Sequence, residues 1–326
     1  MDKKQIDKRA IIIPGAQKSG TTTLFDKLST HSIVDEQECK EPEFFALDED
    51  IVEKNLDWYR NLYSDDRKKY LIDSSNLYFH SKKAPSLIKN YITQPKIIII
   101  LRDPVKRAYS GYLHMHKKVP CPDKRSFEDI VKSVHGPDRA DITKSENRNI
   151  MKNIEEGNID KDYLNENYLS KMHGVDFKSF FEDTILPYKH FQRSIYSTYV
   201  RRYMNEFDDV KVIFLEELLH DTVEVLTDLL DFLELGYEDG FYHLPHKNIT
   251  KVPSSKTARV LLNIIHKIIP RPTNEKLMLL LERRSILYKD KPTLREELYY
   301  EGRQTLKKEY DYWISKNERL ATYWTY

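Results

Sequence analysis

The chain has 326 residues, with 53 Lys and Arg against 52 Asp and Glu, for a net charge of +1. That balance offers no general field to recruit nucleic acid or an anionic membrane, so any anion site must be built locally. Two cysteines, Cys39 and Cys121, are too few for a disulfide framework or a thiolate metal site.

The charged start, MDKKQIDKR, lacks the apolar stretch of a signal peptide. No window reaches the roughly 18 apolar residues of a membrane span. A soluble cytoplasmic protein with no membrane span is therefore expected, the alternative being the luminal part of a larger anchored protein. The length suits one domain over 1–326 with a substantial core.

Taken in chain order, the first element is a buried strand over Ala10–Ile13, followed by PGAQKSGTTTL at residues 14–24. A β-branched run, glycines, a lysine and hydroxyl residues before Leu24 and Phe25 mark a strand–loop–helix phosphate site. The Gly15-x-x-x-x-Gly20 spacing matches a nucleotide P-loop. Thr21, however, stands where that loop needs lysine, and Lys18 lies inside the loop instead. Strands are predicted at Tyr70–Ile72, Ile97–Leu101 and Val210–Leu215. The run KIIIIL reads as covered on both faces.

Next comes Arg102-Asp103-Pro104, with Asp103 suited to cap a helix and Pro104 to open it. Val105, Ala108, Tyr109, Tyr112 and Leu113 follow a helical period, and Lys106, Arg107, Ser110 and His114 fall on the opposite face. Arg102 and Ser110 could grip one anion. Further helical faces are Tyr196, Val200, Tyr203, Phe207 and then Leu226, Leu229, Leu230, Leu233. Alternating strands and helices predict an α/β fold with a central, mostly parallel sheet flanked by helices in three layers.

Residues 117–175, with Pro120, Pro122, Gly136, Pro137 and Gly157, read as a partly helical, substrate-facing excursion or a solvated insertion. Residues 273–326 read as a helical C-terminal extension of the same domain. His114-x-His116 and His243-x-x-His246 have no thiol nearby and no i, i+4 pair, so no metal site is expected.

PGAQKSGTTTL resembles the 5′-phosphosulfate loop, and ILRDPVKRAYSGY the 3′-phosphate motif, of sulfotransferases that use 3′-phosphoadenosine 5′-phosphosulfate. The likeness is to the heparan-sulfate type and its bacterial relatives. Lys40-Glu41-Pro42-Glu43-Phe44-Phe45 with Asp57-Trp58-Tyr59, and Phe241-Tyr242 with Lys247-Asn248, resemble further segments of that group. The resemblance implies a P-loop-like fold and sulfuryl transfer to a hydroxyl or amine of an acceptor saccharide or glycolipid, with no metal required.

It further implies that Lys18 stabilises the leaving group, that Glu41 is the base, and that Ser19, Gly20, Thr21, Thr22 and Thr23 cradle the 5′-phosphate. Arg102 and Ser110 would bind the 3′-phosphate, and Glu43 would orient the acceptor. Two departures stand out. Ser74 occupies the place of a lysine near the transferring group, so Lys18 carries more of the stabilisation or another cation enters. The cofactor-covering loop reads KVPSSKTAR, where Lys251, Lys256 and Arg259 would close over the 3′-phosphate. The competing readings are a divergent P-loop kinase using ATP–Mg²⁺ and a catalytically silent nucleotide-binding protein.

Overall fold

The computed structural model describes residues 6–36, 41–63, 65, 67–118, 120–134, 139–160, 186–244, 251–269 and 271–326. Cys39, Lys40, His246, Lys247, Asn248 and part of the 117–175 excursion lie outside them. The elements begin with β1 (Arg9–Gly15), α1 (Thr21–Leu28), β2 (Val34–Glu36), α2 (Glu49–Lys54), α3 (Leu56–Arg60), β3 (Tyr70–Asp73), α4 (Ala84–Tyr91) and β4 (Pro95–Leu101). Then come α5 (Pro104–His116), α6 (Phe127–Ser133), α7 (Arg139–Glu155), α8 (Tyr196–Glu206), β5 (Val210–Phe214), α9 (Leu215–His220) and α10 (Thr222–Leu233). The C-terminal part holds β6 (Lys251–Pro253), α11 (Lys256–Ile268), α12 (Arg271–Arg283), β7 (Tyr288–Asp290), α13 (Glu296–Thr305), α14 (Lys307–Lys316) and α15 (Leu320–Tyr323).

The main sheet has five parallel strands in the order β2-β3-β1-β4-β5. Its pleat sorts the β-branched runs between two cores. Ala10, Ile12, Ile97, Ile99 and Leu101 face one side, where they meet α4, α5 and α8. Ile11, Ile13, Ile98 and Ile100 face the other, against α1 and α10. Both faces are therefore dry, which is why neither strand alternates with polar residues.

Chain order reverses direction between β1 and β4, so the loops leaving their carboxyl ends flank the crevice where such sheets bind ligands. Asp103 caps α5, accepting from the Lys106 N–H at 2.8 Å, with Pro104 in the first turn. The same carboxylate accepts from Tyr299 and Tyr310 hydroxyls, each at 2.8 Å. The C-terminal segment thus clamps the residue next to Arg102, and Trp324 beside it is fully buried.

Two expectations change. The described part of the 117–175 excursion is packed into the body of the protein: Phe127, Ile130, Val131 and Ile142 belong to the core, and Ser126 and Asp129 form a reciprocal cap on α6. Spacing alone did not show this, because its apolar residues are divided between the seven-residue α6 and the mostly polar 17-residue α7. Arg107, expected on the polar face of α5, is fully buried. The short strands β2, β6 and β7, with sequences VDE, KVP and YKD, have no apolar run and went unpredicted.

Candidate functional site

The loop from Pro14 to Gly20 turns back beneath the start of α1, held by Ala16 N–H to the Ile100 carbonyl (2.8 Å) and Ser19 N–H to the Ala16 carbonyl (3.1 Å). The first helical bond of α1 runs from Leu24 N–H to the Gly20 carbonyl. The N–H groups of Thr21, Thr22 and Thr23 consequently have no acceptor within the helix and point to its positive end. Ser19 is buried and its Oγ is without a hydrogen-bond partner among the described residues.

Gly20 has φ 97°, and a Cβ there would stand 2.7 Å from Leu215 Cδ1. Gly20→Ala is expected to destabilise the fold by about 1–3 kcal/mol through left-handed strain together with that contact. A urea titration that shows no shift in midpoint would contradict this.

Lys18 projects from this loop with φ 71°. Burial lowers its pKa to about 8, helped by repulsion from Lys117, Arg102 and Lys118 and opposed by Glu41. Those neighbours bear on the missing lysine at Ser74. Ser74 is 5% exposed at the end of β3, and the cations that face Lys18 come from Arg102 after β4 and from Lys117 and Lys118 after α5. Lys117 is also paired with Glu282 at 3.1 Å. His114, on the last turns of α5, feels Lys18 as well, and desolvation holds its imidazole well below its ordinary pKa.

Glu41 is tied to the phosphate loop through Asn76. Thr21 Oγ1 donates to Asn76 Oδ1 at 3.2 Å, and Asn76 Nδ2 donates to Glu41 Oε1 at 2.8 Å. This side chain, 4% exposed, carries no signal in the sequence, since Thr21 and Asn76 are 55 residues apart. Asn76→Leu removes both bonds while keeping the branched heavy-atom skeleton. It is expected to lower the turnover number about tenfold or more by releasing Glu41, with nucleotide affinity changed little. Equal losses in turnover and nucleotide binding would contradict a positioning role.

Glu43, expected to orient an acceptor, is 1% exposed. Its carboxylate accepts from Leu77 N–H at 2.9 Å, and its own N–H donates to Ser75 Oγ at 3.0 Å. It holds the segment after β3 in place instead of reaching an open surface. Beneath it, Asp73 accepts from Ser75, Tyr59 and Tyr78 hydroxyls at 2.6–2.9 Å. Burial raises its pKa to about 6 despite those bonds. Asp57-Trp58-Tyr59 thus serves the site from below, through Tyr59.

Arg102 Nη1 reaches the Lys18 carbonyl at 3.4 Å and its buried Nε has no partner among the described residues. Lys291, exposed after β7, has its pKa lowered by partial desolvation and by the like charge of Arg102. Nothing in the sequence singled out Lys291. Ser110 lies half-buried on α5. Of the proposed covering residues, Lys256 is exposed at the start of α11. Lys251 donates to Ser285 Oγ at 2.7 Å, and Arg259 to the His116 carbonyl at 2.8 Å. The latter two are therefore engaged in joining segments.

Behind the loop, all three guanidinium nitrogens of Arg107 are buried without partners among the described residues, and its charge acts on Tyr196. On the far side of α5 lies a cleft of about 420 Å³ lined by Tyr109, Tyr112, Phe127, Val252, Lys289 and Arg295, among others. It includes neither Lys18 nor Glu41.

The chain is similar to known proteins over parts of its length. The chain is 32% identical over 129 residues to the human bifunctional heparan sulfate N-deacetylase/N-sulfotransferase 3, covering 37% of this chain and 14% of that protein. It is 36% identical over 124 residues to mouse heparan sulfate glucosamine 3-O-sulfotransferase 3B1, covering 38% of this chain and 30% of that protein. The chain thus matches under a third of the length of either relative. A sulfotransferase structure from Alicyclobacillus acidocaldarius superposes with a TM-score of 0.50 at 20% identity, over 80% of this chain and 93% of that one, and so shares the fold. The sulfotransferase domain model matches residues 8–261, more than half the chain; this protein belongs to the sulfotransferase domain family.

Proposed function

We propose that this chain transfers a sulfuryl group from 3′-phosphoadenosine 5′-phosphosulfate to a hydroxyl or amine of a saccharide or glycolipid acceptor. The observation that carries the reading is the pairing of Lys18 with Glu41. One sits on the phosphate loop and the other on a separate segment, each within electrostatic reach of the other, with Thr21 and Asn76 linking them. The relatives' names supply the acceptor class.

The residues present fit such a nucleotide. Ser19 Oγ and Arg102 Nε are buried without partners among the described residues. The N–H groups of Thr21, Thr22 and Thr23 at the start of α1 have no backbone acceptor among the described residues. The nucleotide supplies the sulfuryl group and, as it leaves, a phosphate whose charge must be stabilised.

In this reading the Lys18 ammonium stands where that charge develops, an interaction that strengthens toward the transition state. The threonine N–H and hydroxyl groups hold the 5′-phosphate, while Arg102, Ser110 and Lys291 hold the 3′-phosphate. Lys256, exposed within the covering segment, would join them. Glu41, held by Asn76, takes the proton from the attacking oxygen or nitrogen. Reducing, cytoplasmic surroundings are part of the proposal, with Cys121 as a free thiol.

The test is a mass-spectrometric search for an acceptor gaining one sulfuryl group when saccharides and glycolipids are offered with the phosphosulfate nucleotide. Modification that depends on both the nucleotide and Glu41 supports the reading. Binding of the nucleotide with no transfer across the panel would favour the silent-binder alternative.

A further inference from the structure

Of the thirteen large apolar side chains exposed among the described residues, seven fall within residues 256–286. On α11, Ala258 and Leu262 take the inner face and are buried, while Val260, Leu261, Ile264 and Ile268 stand 44–74% exposed. On α12, Leu279 and Leu280 are about half exposed, and Ile286 follows at 48%. A folded chain rarely leaves two consecutive helices with this much apolar surface in water unless something covers it.

The charge of the same stretch indicates what. Residues 256–286 carry seven Lys and Arg against two Glu, although the whole chain is balanced at 53 against 52. The remainder is accordingly net acidic, and the positive charge is concentrated on this one hairpin. Lys267, Lys276, Arg283 and Arg284 are exposed beside the apolar positions. On α12, Lys276 precedes Leu279 and Leu280 by three and four residues, and Arg283 at the helix end and Arg284 just past it follow them by four, which sets them along one side of its last turns. Apolar side chains flanked by basic ones describe a helix that lies in the interface of an anionic bilayer. A second copy fits poorly, since a symmetric contact would press two positively charged hairpins together.

We propose that the α11–α12 hairpin docks this protein on the surface of an anionic lipid bilayer. The hairpin is inserted between β6 and β7, which pair with each other and contribute Val252, Pro253 and Lys289 to the cleft beside α5. Docking therefore holds that cleft close to the lipid headgroups. The docking does not depend on the transfer chemistry.

The test is sedimentation of the full chain, without nucleotide or acceptor, with vesicles of phosphatidylcholine alone or of an equimolar phosphatidylcholine–phosphatidylglycerol mixture. The proposal expects binding to the mixed vesicles at least about tenfold stronger than to phosphatidylcholine, weakened by salt. Ile264→Asp with Ile268→Asp, and separately Lys267→Glu with Arg284→Glu, should each abolish that preference while unfolding temperature is kept. All four side chains are exposed, so the variants are expected to fold. Equal binding to both vesicle types, or unchanged binding by the variants, overturns the proposal. So does a dimer in light scattering that Ile268→Asp splits, which would make a second copy the occupant. Failure here leaves the nucleotide site untouched, because that site is read by ligand binding and transfer.

Discussion

Lys18→Ala is expected to lower the turnover number about 10²–10³-fold, the loss typical of removing one preorganised charge from a developing anion. Nucleotide binding should weaken less, since the N–H groups of α1 and Arg102 remain. The protonation of Lys18 adds a pH signature. Its pKa in the free protein is lowered to about 8 by burial and by the neighbouring cations. Above that value the side chain is neutral until an anionic nucleotide restores its proton, so affinity should fall as pH rises through 8. Folding shows the opposite sign: between about 8 and the ordinary value near 10.5 the unfolded chain holds the proton more tightly, so this group's contribution to stability rises with pH. Lys18→Ala should flatten both dependences. Isothermal titration at pH 7 and pH 9.5 checks the first; an unchanged affinity in the native chain would contradict it.

Glu41→Gln is the second large effect. Glutamine keeps the shape and can still accept from Asn76 Nδ2, but it cannot take a proton. Turnover should drop about 10²–10⁴-fold, the range for loss of a positioned general base, with the nucleotide-induced rise in unfolding temperature retained. Glu41 also supports the charge of Lys18. Its neutralisation should therefore move the pH at which nucleotide affinity declines to a lower value. A variant that keeps native turnover would remove Glu41 from the mechanism, and one that keeps the same pH midpoint would remove its coupling to Lys18.

The sheet was largely legible in the sequence because four of its five strands are continuous β-branched or apolar runs, and burial on both faces demands such runs. β2 is three residues long and two of them are acidic, so nothing in its composition separates it from a turn. In the site, residues adjacent in sequence could be read together: the loop from Gly15 to Thr23, or Arg102 with its capping neighbour Asp103. What sequence did not disclose were links made by the fold alone. Asn76 joins Thr21 to Glu41, Lys291 comes up beside Arg102, and Arg107 turns inward although its helical period puts it with polar residues. Glu43 is the reverse case. A carboxylate two residues from the proposed base invites a role toward substrate, yet the fold buries it and gives its Oε2 to the backbone N–H of Leu77.

The unfolding temperature of the native chain with 3′-phosphoadenosine 5′-phosphate, ATP–Mg²⁺ or adenosine 5′-monophosphate tests the central claim most directly, which is a paired site for 5′- and 3′-phosphates. A ligand at 100 times its dissociation constant adds about 2.7 kcal/mol, enough for a clear shift. The account predicts that the 3′-phosphorylated nucleotide stabilises far more than the other two and that Arg102→Ala removes most of the difference. Stabilisation by ATP–Mg²⁺ instead, or a response to the 3′-phosphate that survives Arg102→Ala, would contradict it.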